Sequence, residues 1–154
     1  MERRRELVFD RLDRVIPEVD RLLKGHTTSG AWSLGQILHH LATAIRLSLG
    51  SRAISEDGPV DPALTRLFEV RRRRFFKVGK FPEGAEVPHP LLIPPKGLDD
   101  QAEAESIRLA LVEFESFEGS FGTHPYLGPL PREEWAAFHG IHCAHHLSFV
   151  RQIV

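Results

Sequence analysis

Apolar residues recur at spacings of three and four along four long stretches of the chain, the period of a helix with one buried face. Residues 3–24 place Leu12, Val15, Val19 and Leu22 on such a face. Pro17 falls inside that stretch and predicts a kink near Asp13–Pro17, because proline removes a helical hydrogen bond and crowds the turn before it. A second helix is expected over 33–49, capped by Ser33, with Leu34, Ile37, Leu38, Leu41 and Ile45 on one side. Gly50 and Gly58 mark its exit, and a shorter helix is expected over 61–77 after "DGPVDP". A third long helix, 99–118, carries Ala104, Ile107, Leu111 and Phe114 on one face. A fourth, 131–153, opens on Pro131, Glu133 and Glu134, residues that suit a first helical turn. Trp135, Phe138, Phe149 and Ile153 mark its apolar side.

No segment alternates as a strand does. The span 78–100 holds five prolines and three glycines and reads as an irregular connection, long enough to be a lid or a site wall. The pattern predicts an all-α fold: one domain over 1–154, a four-helix bundle of up-down-down-up type with a long proline-rich crossover between its second and third main helices.

Composition narrows the function classes. At 154 residues the chain can bury a core without staples. Hydrophobic residues at 42% and charged residues at 27% describe a folded, soluble domain. A net charge of −1 and the lack of a recognition motif speak against nucleic acid as a partner. No apolar run approaches a membrane span, so no membrane partner is expected. The basic start MERRRE is not followed by the apolar stretch of a signal peptide. A single cysteine, Cys143, permits no intrachain disulfide, and a reducing, cytoplasmic setting is expected. One local anomaly is the basic run Arg71–Lys77, read either as a solvated helix end or as a patch for an anionic substrate or partner.

The chemistry concentrates in "HGIHCAHH", residues 139–146. With about 100° per residue, His142 and His146 fall close to the apolar side of the last helix, His139 slightly further off, and His145 at its edge. His142 and His146 are four apart, so their rings stack one turn apart and can share a metal ion. HExxH zinc helices use the same spacing, but no glutamate follows the first histidine here. In "LGQILHHLA" of the second helix, His40 borders the apolar face and His39 points nearly opposite. His40, His142 and His146 therefore form a candidate three-histidine metal site inside one end of the helices. The alternative is three separately hydrogen-bonded core histidines, each needing its own partner.

"WSLGQILHHLA" and "HCAHHL" together resemble the DinB-like superfamily of damage-inducible-type helical bundles. "THPYLGPLPREEWAAFHGIHCAHHL" is similar to an uncharacterised branch with an HPxxGxLxxEEW approach to the last helix. The resemblance runs from about Arg3 to the C-terminus. It implies a divalent metal, zinc or nickel most often, held by the residues matching His40, His142 and His146. Relatives in that superfamily include thiol-dependent S-transferases and isomerases; others are described as metal-dependent hydrolases.

Two functions are expected from these residues. In the first, the chain is a metal-dependent enzyme acting on a small molecule by thiol transfer, with a low-molecular-weight thiol as partner, or by hydrolysis. An open position on such an ion lowers the pKa of water to about 7 and deprotonates a thiol. His139 and His124 are candidate catalytic groups, and Tyr126 and Trp32 candidate substrate contacts. Glu115 and Glu118 are candidates to bond the outer nitrogen of a ligand histidine, although a surface position suits them better. Cys143 is turned about 80–100° from His142 and reads as a packed thiol. In the second, the chain is a non-catalytic metal-binding or dimerisation module of a stress response. A homodimer is compatible with either.

Overall fold

The computed structural model of the protein describes residues 4–50, 62–81 and 90–153. These residues are mostly helical, with two small antiparallel sheets. The helices are α1 (Val15–Leu23), α2 (Leu34–Leu47), α3 (Pro62–Val78), α4 (Asp100–Ser116) and α5 (Arg132–Leu147). Strands β1 (His26–Thr28) and β4 (Val150–Gln152) pair with each other, as do β2 (Thr123–His124) and β3 (Gly128–Pro129). No helix among the described residues is long and apolar enough to cross a membrane.

The helix faces read from spacing are the buried ones. Val15, Val19 and Leu22 of α1, Leu34, Ile37, Leu38, Leu41 and Ile45 of α2, and Ala104, Ile107, Leu111 and Phe114 of α4 make one core with Trp135 and Phe138 of α5. α2 packs along α4 and against α5, and α1 packs on α4. α2 starts where expected, in a capping box: Ser33 Oγ accepts from the Gln36 amide while the Gln36 side chain accepts from the Ser33 amide. Asp99 caps α4 through the Ala102 amide. Gly35 lets the starts of these two helices meet, since a Cβ there would lie 3.0 Å from both Leu98 O and Asp100 Oδ1.

Three expectations are corrected. The first helix does not run from residue 3: a 3-10 turn, Leu12–Arg14, leads into α1 at Val15. Pro17 is then the third residue of a helix, where its missing N–H would have had no helical partner, so it causes no break. Arg5 instead lies against the end of α5. Its amide donates to Ser148 O at 3.0 Å, and its guanidinium donates to Val150 O at 2.6 Å, Leu147 O at 3.1 Å and Glu18 Oε1 at 2.6 Å. The last helix stops at Leu147, and residues 150–152 form β4, so Ile153 is exposed rather than on a helix face. Strands do exist, at two or three residues each, too short to show alternation. Of the expected connection over 78–100, Val78 ends α3 and Pro90–Leu92 forms a 3-10 turn. Residues 82–89, like Gly58 and the "DGPVDP" stretch up to residue 61, lie outside the described residues.

The basic run belongs to α3 and divides by direction. Arg72 donates to Leu127 O at 3.1 Å, Arg71 donates to Tyr126 O at 3.3 Å and lies 4.1 Å from the Tyr126 ring centroid, while Arg73 and Arg74 are exposed. α3 thus holds the β2–β3 turn. The contact is tightest at Gly128, whose φ is +82° and where a Cβ would lie 2.6 Å from the Phe68 ring. Gly128→Ala combines a left-handed backbone with a clash and is expected to cost about 2–3 kcal/mol. A thermal melt checks this, and an unchanged midpoint would refute the close packing of α3 on this turn.

Candidate metal centre

His40 and His142 are buried and His146 is partly buried, and one ring nitrogen from each lies within 4.8 Å of the others. His40 comes from the middle of α2; His142 and His146 come from successive turns at the C-terminal end of α5. That end carries partial negative charge from its free carbonyls, which favours a cation. His142 Nε2 lies 2.9 Å from His40 Nε2 and 3.1 Å from His146 Nε2.

The tautomers decide what this cluster can hold. His40 Nδ1 is 2.7 Å from the Leu92 carbonyl, which can only accept, so the proton sits on Nδ1. The Nε2 of neutral His40 then presents a lone pair to His142. If His142 Nε2 carries a proton, it bonds His40 and leaves His146 Nε2 without a matching acceptor. If it carries none, two lone pairs face each other across 2.9 Å. No arrangement of neutral rings gives each of the two contacts its own proton, whereas one cation can take all three lone pairs. Tetrahedral zinc with bonds of about 2.0–2.1 Å has its ligand nitrogens about 3.3 Å apart, close to the two short separations here. His142 Nδ1 is buried without a hydrogen-bond partner among the described residues, so no bond at that nitrogen sets the ring's orientation. The residues fit a divalent ion.

The electrostatics point the same way. Burial lowers the pKa of His40 and holds that of His142 well below its usual value; it takes His146 down to about 2, with the neighbouring imidazoles adding to the effect in each case. All three stay neutral near pH 7, which is the ligand form. Aromatic rings wall the cluster. Trp32 stacks on His146 at 5.5 Å between centroids and leans on His40 at 4.9 Å. Phe81 and Phe138 cover His142 at 5.0 and 5.6 Å.

His39 points away, as expected, with Nδ1 3.1 Å from Glu103 Oε2 of α4. His139 is not among the converging nitrogens. It is fully buried, its Nε2 lies 2.9 Å from Ser48 Oγ, and its ring stacks on Trp135. Because Ser48 Oγ donates to Ile45 O, His139 Nε2 is the donor in that pair and Nδ1 is left unpartnered. Burial takes its pKa to about 3. His124 closes the β2–β3 turn: its Nδ1 accepts from the amides of Tyr126 and Leu127 at 3.0 and 3.1 Å, and burial lowers its pKa to about 4. Tyr126 is exposed and stacked under Arg71. Of the four helpers expected from sequence, only Trp32 therefore touches the three histidines. Glu115 and Glu118 are exposed. Cys143 is buried, and burial pushes its thiol up to about 12, so it is a packed, unreactive group.

Two contributors carried no signal in the sequence. Leu92 acts through a backbone carbonyl, which residue identity does not encode. Arg4 lies beside the cluster: its guanidinium donates to Ser148 Oγ and His145 O and sits 3.0 Å from His145 Nδ1. Its basic run reads from sequence as nothing more than a charged start.

No curated protein and no solved structure matches the chain. The model of a family described as protein of unknown function, DUF1569, matches residues 1–153, and the chain belongs to that DUF1569 family.

Proposed function

We propose that the chain is a metal-dependent enzyme in which His40, His142 and His146 hold one divalent ion, zinc or nickel. Its substrate is a small molecule, transformed by thiol transfer or by hydrolysis. The observation that carries this reading is the convergence of three histidine nitrogens whose two short contacts cannot each have a proton of their own while the rings are neutral. Such an ion supplies a Lewis acid that makes water or a thiol nucleophilic at neutral pH. The protein residues do the remaining work. Leu92 O fixes the His40 tautomer, Trp32 and Phe81 keep solvent from the ligand rings, and the end of α5 sets the spacing of His142 and His146.

A structural role for the ion would call for a fourth protein ligand. Among the described residues the group has three members, which favours the catalytic reading over that of a binding or dimerisation module. The placement of the ligands on α2 and α5, with α1, α2 and α4 packed together, supports a DinB-like bundle in which α3 is carried by the long crossover.

The test is turnover. Tag-free protein loaded with zinc or nickel is incubated with thiol plus electrophile, and separately with ester substrates. Turnover by the wild type and none by a loaded His146→Ala preparation is expected. Equal rates in both would end the enzyme reading.

A further inference from the structure

Helix α3 buries only Phe68 of its 17 residues, with Phe75 and Phe76 partly packed against the core. It carries six basic residues against one acid, Glu69, a net of +5 in a chain whose total is −1. Arg71 and Arg72 are engaged with the β2–β3 turn. Arg66, Arg73, Arg74 and Lys77 are exposed, and none of them forms an ion pair with another described residue. The same helix leaves Leu64, Leu67, Val70 and Val78 40–59% exposed. At about 100° per residue these four fall within one arc of about 120°, next to the inner stripe of Phe68 and Phe75. Arg66, Arg73 and Lys77 occupy the next sector of about 60°, and Arg74 lies within the aliphatic arc. Arg71 lies in that arc too, and its guanidinium covers the ring of the exposed Tyr126, which continues the patch.

We propose that this face of α3 docks on an anionic lipid surface, its aliphatic side chains entering the headgroup region while the four exposed cations meet lipid phosphates and carboxylates. The inference is independent of the metal centre. An apolar arc bordered by basic residues is the pattern of a helix that lies in a lipid interface, and tyrosine belongs at the same depth. Such a helix needs no apolar run of membrane-spanning length. The stem of Arg74 is long enough to bring its guanidinium up to the headgroups. Two magnitudes favour lipid over a protein partner. One face of α3, about 26 Å long and about 10 Å wide, offers about 260 Å², roughly a third of what each side of a stable protein interface buries. Each basic residue near an anionic membrane strengthens attachment about fivefold, so four of them give a preference over neutral lipid on the order of several hundredfold. A nucleic acid would satisfy the cations with its phosphates but leave the aliphatic arc in water.

The test is flotation of the full chain with vesicles of phosphatidylcholine alone and of phosphatidylcholine mixed with phosphatidylserine, with a short RNA duplex as a separate probe. Binding to the serine-containing vesicles alone is expected, weakening as salt rises. Arg73→Gln combined with Arg74→Gln is expected to weaken it about thirtyfold. Leu64→Ser combined with Leu67→Ser, which leaves every cation in place, is expected to weaken it about tenfold. All four side chains are exposed, so circular dichroism is expected to show both variants folded. Full binding by the leucine variant would show attraction of charge without docking of this face, and would overturn the proposal. So would equal binding to the two kinds of vesicle, binding to neither, or a preference for the RNA duplex.

Discussion

Replacing His142 with alanine is expected to abolish metal binding, and so is replacing His146. Each removes one of three nitrogens that meet within 4.8 Å. Losing a residue that merely orients a ligand costs about 10–100-fold in affinity, so losing a ligand is expected to cost more than about a hundredfold. His39→Ala is the matched control. It deletes an imidazole one position from a ligand, but that ring faces Glu103 on α4, and metal affinity is expected to stay unchanged. Isothermal titration with zinc separates the cases. Tight binding retained by His146→Ala would remove it from the site.

Acid is expected to unfold the protein well before its carboxylates are protonated. His139 and His124 have folded pKa values of about 3 and about 4, against an ordinary 6.5, because burial disfavours their charged forms. Below pH 6.5 the unfolded chain takes up protons that the folded chain refuses, so stability falls as pH falls. The contribution of each group is complete above pH 6.5 and is lost progressively down to its folded value, at about 1.4 kcal/mol per pH unit. Between pH 6.5 and about 4 the two together remove several kcal/mol, comparable with the 5–15 kcal/mol that holds an ordinary domain together. Urea midpoints measured in chelator should therefore drop steeply from pH 7 to about 4. His139→Gln, whose amide can still donate to Ser48, should make that slope shallower. A flat profile would mean that these rings are not buried as neutral groups.

Much of the site was legible because helix phase is simple. His39 and His40 differ by about 100° around α2, and one faces α4 while the other faces α5. On α5, His142 and His146 differ by about 40° and share a target. His139 lies about 60° from His142 and about 20° from His146, on one stripe that looks continuous in sequence, but two turns from His146 along the helix axis. Phase could not reveal that His139 meets Ser48 and not the cluster, since that depends on its place along the axis and on where α2 ends. The ends of the chain misled for a related reason. Leu12 extends the apolar rhythm of α1 backward, but Arg4 and Arg5 find better partners at the end of α5 than in a helix of their own. Strands of two or three residues are set by their neighbours across the sheet, and no periodicity records them.

Metal content decides whether His40, His142 and His146 form a metal centre. Elemental analysis of tag-free protein after reconstitution is expected to find about one divalent ion per chain, and none in the His40/His142/His146→Ala triple variant. No ion in either protein would overturn the metal centre, leaving three imidazoles packed against one another and no reason to seek an activity there.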